Sequence, residues 1–237
     1  ELEFKTLLKS AETKKTPATS SNGPASKDNY HAILSKKDLD GLIKELKKAK
    51  VLAFDTETDS LDFTQANLVG ISVATDEDNA YYIPVGHDYE GAPKQLDRDE
   101  VLKKLKPIIE KTPLIGQHLK FDRNVLANYD IHLNSIENDT MLMSYVYDPT
   151  ATRHNLDAMA SHYLNVKTTT FEDVAGKGVK QLTFNQIPLE KASDYAAEDA
   201  DITFRCYSHL KPALAKTPSL EKVLHEIELP LVPVLSD

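Results

Sequence analysis

The sequence predicts an α/β fold, a mixed β-sheet flanked by helices. Three observations carry that expectation. Short apolar runs lie early in the chain, at residues 51–54, 67–75 and 79–85. Helix and strand signals then alternate between residues 99 and 116. Beyond about Lys120 the apolar residues recur at helical spacing. A meander, then alternation, then helices suits one sheet packed by helices.

The elements follow in order. Leu2, Phe4, Leu7 and Leu8 have helical spacing. From Lys9 to Asp28 the chain is rich in Ser, Thr, Pro and Lys, so residues 1–28 are expected to be a flexible N-terminal linker. The compact domain is expected at residues 29–218, starting near Tyr30. Asp38 to Lys48 is amphipathic through Leu39, Leu42, Ile43 and Leu46. Val51 to Phe54 reads as a central strand. Asn67 to Thr75 and Asn79 to Val85 read as two more, joined by the polar turn Asp76-Glu77-Asp78. Asp99 to Glu110 reads as a helix ended near Pro113, and Leu114-Ile115-Gly116 as a short buried strand. The remainder is expected to be helical, with loops near Asp148-Pro149 and from Thr168 to Thr183. Leu229 to Leu235 is strongly apolar, whereas domain ends are usually polar and frayed. Residues 219–237 are therefore expected to begin a connection to a further domain.

Composition excludes several classes. The 237 residues are 41% apolar and 27% charged, an ordinary balance for a folded soluble chain. Cys206 is the single cysteine, so no internal disulfide is possible, which fits a reducing cytoplasm. No apolar run approaches the roughly 20 residues of a membrane span. No phosphate-binding loop, dinucleotide fingerprint, zinc spacing or nucleophile elbow is present. The net charge of −9 argues against a general nucleic-acid binder. That objection weakens for a site built from carboxylates that meets phosphates through cations.

Three segments carry candidate chemistry. In Phe54-Asp55-Thr56-Glu57-Thr58, Asp55 and Glu57 lie two apart on a strand and share a face. Like charges there repel unless a cation neutralises them, and oxygen donors at that spacing suit Mg²⁺ or Mn²⁺. A solvated strand end explains the pair equally well. Asp122 opens a helix after Gly116-Gln117-His118, where it would also serve the helix dipole. Tyr195 and Asp199 lie four apart on one helix face, in a run of alanines that allows close approach. Glu198 and Asp201 point elsewhere and read as solvated charges.

Together, Asp-x-Glu on a strand, Asp opening a helix and Tyr-x-x-x-Asp on a late helix resemble the tyrosine subclass of the DEDD exonucleases. More narrowly, the chain is similar to the 3′→5′ exonuclease (proofreading) domain of bacterial family A DNA polymerases, the Klenow type. The stretches that carry the resemblance are FDTETDSL (54–61), YIPVGH (82–87), DTML (139–142), FEDVAGKG (171–178), QLTFNQ (181–186), YAAEDAD (195–201) and LPLVPVL (229–235).

The resemblance implies a ribonuclease H-like fold and two Mg²⁺ or Mn²⁺ ions, with Zn²⁺ an option in one position. Asp55, Glu57 and Asp199 would hold the first ion, Asp55 and Asp122 the second, and Tyr195 would orient the attacking water. Leu61 and Phe171 would pack against the bases of a single-stranded or frayed DNA 3′ end. Gln117, His118 and Arg153 would contact the terminal nucleotide. Members of the family carry Asn where this chain has His118. The implied setting is a bacterial cytoplasm, DNA replication and repair, and a polymerase domain in cis, as a monomer without a membrane. Two rival readings remain: a ribonuclease D-like RNA exonuclease, and a catalytically silent DNA-binding spacer.

Overall fold

Residue alternation along three central strands sets the architecture. The computed structural model describes residues 29–77 and 79–236. The expected linker at 1–28, with Leu2, Phe4, Leu7 and Leu8, lies outside the described residues. The strands are β1 (Tyr30–Ala32), β2 (Leu52–Thr58), β3 (Leu68–Asp76), β4 (Asn79–Pro84), β5 (Leu114–Gly116) and β6 (Ile136–Asp139). They form a six-stranded sheet in the order β1-β4-β3-β2-β5-β6. β2, β3 and β4 are antiparallel neighbours, while β1 runs parallel to β4 and β5 runs parallel to β2 and β6. The sheet is thus mixed, as expected.

The helices are α1 (Lys36–Leu46), α2 (Arg98–Ile109), α3 (Leu119–Ala127), α4 (Thr140–Tyr147), α5 (Leu156–Met159), α6 (Phe171–Ala175), α7 (Leu189–Leu214), α8 (Pro218–Val223) and α9 (Leu229–Val234). Ser35 caps α1 by accepting from the Asp38 amide, and Asp97 caps α2 from the Glu100 amide. Each satisfies a donor that a helix start leaves orphaned, worth about 1 kcal/mol.

The two sheet faces differ in content. Leu52, Phe54, Ile71, Val73 and Ile83 bury against α1, α2 and α3. Complete burial of such side chains stabilises by about 1.5–3 kcal/mol each. The opposite face carries Ala53, Ala74 and Ala80, which pack in one cluster with Ala197 and Ala200 of α7. Small residues on both partners let the 26-residue α7 lie close to the sheet.

Two strands escape the sequence pattern. β1 and β6 have three and four residues, too short to show alternation, and both take their definition from parallel partners. Residues 136–139 therefore correct the expectation that everything after Lys120 is helical. The expected loop at Thr168 to Thr183 contains α6, which a capping box between Thr170 and Asp173 initiates.

Candidate active site

The register of β2 builds the floor of the site. Asp55 pairs with Ser72 of β3, which pairs with Tyr82 of β4; Glu57 pairs with Gly70, which pairs with Pro84. These rows lie on the face that α7 covers. Gly70 has a steric reason: a Cβ there would fall 2.2 Å from the Tyr82 hydroxyl oxygen. The Tyr82 ring thus occupies the space above Gly70, beside Glu57. Its hydroxyl shares a 2.8 Å hydrogen bond with Nε2 of His87. Burial, then Glu57 and Asp55, hold the Tyr82 phenol well above the usual range. The two ends of the YIPVGH stretch are thereby joined beneath the acids.

Asp122 reaches the floor from α3 and is almost fully buried. Its Oδ1 accepts from the Thr56 amide at 2.8 Å and from the Thr56 hydroxyl at 2.6 Å. Thr56 sits between the two acids, so alternation turns it to the opposite face, where it fastens Asp122. Sequence reasoning missed Thr56, although its signal was that same alternation. The start of α3 is itself fixed. His118 precedes it in a left-handed conformation (φ 63°), and Asp139 accepts from the Leu119 amide at 2.8 Å. Asp139 also accepts from the Met141 and Leu142 amides at the start of α4.

Tyr195 and Asp199 arrive on α7, where buried Ala192, Ala196, Ala197 and Ala200 line the seam. Asp55, Glu57, Asp122, Tyr195 and Asp199, from three distant segments, thus lie near enough for their charges to influence one another. Burial first, then Asp199, pushes the Asp55 carboxyl up to about 8. Burial also raises Asp199 to about 8, against a lowering polar contact with the Tyr195 phenol. Burial, then Asp55, Asp199 and Asp122, holds Glu57 well above its usual range. Burial and Asp55 raise Asp122, which its bonds to Thr56 oppose. Burial, then Asp199 and Glu57, keeps the Tyr195 phenol protonated far above neutral pH.

Among the described residues, no group of three or more His, Cys, Asp or Glu is arranged to hold a metal ion. The acids stand within range of mutual repulsion without forming a coordination shell. Their chemistry nevertheless fits a hard divalent cation. All donors are carboxylate oxygens, and Glu57 Oε1 is buried without a hydrogen-bond partner. A buried oxygen of that kind is costly unless something positive meets it.

The remaining expected residues divide. Leu61 stands 93% exposed in the β2–β3 loop. That loop is braced by Asp59 on Asn67 at 2.7 and 2.8 Å. Phe171 lies edge-to-face against Tyr195, ring centres 6.3 Å apart. His118 is exposed at the start of α3. Arg153 lines a groove of about 740 Å³ with Thr152, Asn155, Asp157 and His162. Gln117 is committed internally: its Nε2 donates to the His154 carbonyl and its Oε1 accepts from Thr140, at 2.8 and 2.6 Å. The expectation of solvated Glu198 and Asp201 is corrected. Glu198 is 5% exposed and Asp201 fully buried. Asp201 pairs with Arg205 at 3.0 Å and accepts from Tyr30 at 2.9 Å. The helix turns both towards packed neighbours, a burial that charge alone does not reveal.

A family model described as 3′-5′ exonuclease matches residues 30–215. The chain is 49% identical to DNA polymerase I of Pseudomonas aeruginosa, aligned over all of this chain and 27% of that protein. It spans about a quarter of the length of the curated relatives it matches. Among solved structures it is similar to Escherichia coli RNase D, with TM-score 0.63, 18% identity, and 85% of this chain and 49% of that one covered. It is also similar to Brucella melitensis NrnC with bound Mg²⁺, with TM-score 0.55, 19% identity, and 88% and 90% covered. At such identities the two structures speak for the ribonuclease H-like fold. Among the described residues, no helix is long and apolar enough to cross a membrane.

Proposed function

Because the chain belongs to the 3′→5′ exonuclease family found in bacterial DNA polymerase I, we propose that it removes nucleoside 5′-monophosphates one at a time from DNA 3′ ends, as the proofreading unit of such a polymerase. The observation that carries this reading is the burial of Asp55, Glu57, Asp122 and Asp199, with Asp199 acting on Asp55 and Glu57, and Asp55 on Glu57 and Asp122. Crowded acids of this kind are built to receive positive charge.

Asp55, Glu57 and Asp199 would hold one divalent cation, and Asp55 with Asp122 a second. Mg²⁺ or Mn²⁺, when bound, neutralises the scissile phosphodiester and lowers the pKa of a water. Thr56 keeps Asp122 turned inward. Tyr195, protonated at working pH, orients the attacking water by hydrogen bonding and does not abstract its proton. Leu61 and Phe171 flank the terminal bases, and stacking of that type is worth about 1–3 kcal/mol per base without sequence preference. Arg153 and His118 meet the terminal phosphates. Gln117 acts indirectly, bracing the Arg153 loop through the His154 carbonyl. The unit is residues 29–218, a monomer of the bacterial cytoplasm, and residues 219–237 lead towards a polymerase domain in cis.

The test is incubation of the purified chain with Mn²⁺ and a 3′-labelled single-stranded DNA, beside an RNA of the same sequence. Release of labelled mononucleotide from DNA, lost in Asp55→Ala, is expected. Faster loss from RNA would point to the ribonuclease D-like reading. DNA left intact at saturating Mn²⁺ would leave only the silent spacer.

A further inference from the structure

One buried carboxylate beside the site is bonded to a neighbouring segment of chain. Glu198 precedes Asp199 on α7 and is 5% exposed. Burying an ionised carboxylate is costly unless it is hydrogen-bonded. Its Oε2 accepts from the backbone N–H of Thr169 at 2.8 Å. One residue earlier, the Thr168 hydroxyl donates to Asp157 Oδ1 at 2.5 Å. Thr168 is buried as well. Two acids from different helices therefore grip two consecutive residues of one strap.

What the strap carries gives the grip its meaning. Thr170 closes the capping box of α6, and the first residue of α6 is Phe171. Phe171 meets the Tyr195 ring edge-to-face, and Phe184 on the strap's return meets it at 6.0 Å. The path from Glu198 to Phe171 is three residues of chain, none of them glycine.

We propose that Glu198, with Asp157 as its second point, is a positioning residue that holds Phe171 at the height where a terminal base stacks. The inference deepens the exonuclease reading and rests on it for the identity of the ligand. The mechanical claim concerns this chain alone. Glu198 does not touch substrate; it sets substrate affinity through the strap.

The chain contains no tryptophan, so Phe171→Trp gives a single reporter on the strap. Quenching of that tryptophan by acrylamide is to be compared in Phe171→Trp alone and combined with Glu198→Ala, Glu198→Gln or Thr168→Val. Glu198→Gln keeps an acceptor oxygen, and Thr168→Val removes one hydroxyl with little change of shape. Glu198→Ala and Thr168→Val should raise quenching about threefold, as expected for a locally loosened segment, and Glu198→Gln should restore most of the protection. In the chain with Phe171 intact, Glu198→Ala should raise KM for a single-stranded oligonucleotide about tenfold, the scale of one lost stack, with kcat within about threefold. Unchanged quenching, or kcat falling at constant KM, overturns the proposal. If the unaltered chain cuts no DNA, the exonuclease reading fails while the tryptophan measurement still decides the clamp.

Discussion

The two faces of β2, β3 and β4 share a backbone and little else. On one, Leu52, Phe54, Ile71, Val73 and Ile83 interlock with α1 and α2. On the other, Ala53, Gly70, Ser72 and Ala74 leave room, and Asp55 and Glu57 stand where large apolar groups would otherwise pack. The first face lowers the free energy of folding. The second gives some of it up, holding like charges together under a closely laid helix. Alternation lets one strand serve both ends, since neighbours in sequence never share a surface. Stability and chemistry are thereby separable by single substitutions one residue apart.

The largest expected effect tests the acidic face. Asp55→Asn should reduce metal-dependent release of mononucleotides by on the order of 10⁴, some 5 kcal/mol of barrier. Its melting temperature in EDTA should stay level or rise, because the fold no longer has to keep a buried carboxyl protonated at neutral pH. A calorimetric scan showing clear destabilisation would contradict the division of labour. Next comes the apolar face. Phe54→Ala should cost about 3–5 kcal/mol of stability in urea unfolding, with the turnover of the remaining folded protein little changed at low temperature. Third, Ala197→Leu should overfill the seam between α7 and the sheet, costing about 1–3 kcal/mol. It should also lower turnover by moving Asp199 away from Asp55; unaltered turnover would mean the close seam has no catalytic consequence.

The last test concerns pH without metal. Asp55 and Asp199 keep their protons to about 8 in the folded chain, but release them near about 4 when unfolded. The folded state binds more protons in that window, so stability falls as pH rises through it. In EDTA the melting temperature should fall steadily between about pH 5 and about pH 8.5, by more than about 5 °C if both carboxyls titrate as raised. Saturating Mg²⁺ should flatten the slope. A melting temperature that climbs with pH in EDTA would show that the acids do not crowd.

Much of this was legible beforehand because local pattern and tertiary role agreed. The central strands, α1, α2 and β5 were expected within a few residues. Asp55 and Glu57 were placed on one face by spacing alone. What stayed hidden depends on partners. β1 and β6 exist because a neighbouring strand offers hydrogen bonds. Glu198 and Asp201 look like surface charges until α7 is laid against the strap and β1. The bonds of Gln117 to Thr140 and to the His154 carbonyl likewise leave no trace in the sequence. Thr56 is hidden because its role depends on Asp122, 66 residues further along the chain.

Asp139 gives a warning for interpreting natural variants. It is an invariably tempting candidate: acidic, fully enclosed and adjacent to the segment bearing Asp122. Yet its oxygens are taken by three main-chain amides at the origins of two helices. A carrier of Asp139→Ala would lose both origins together and score as a nuclease-dead allele. A genetic screen would then credit scaffolding as chemistry, and separating the two needs a folding assay on every inactive clone.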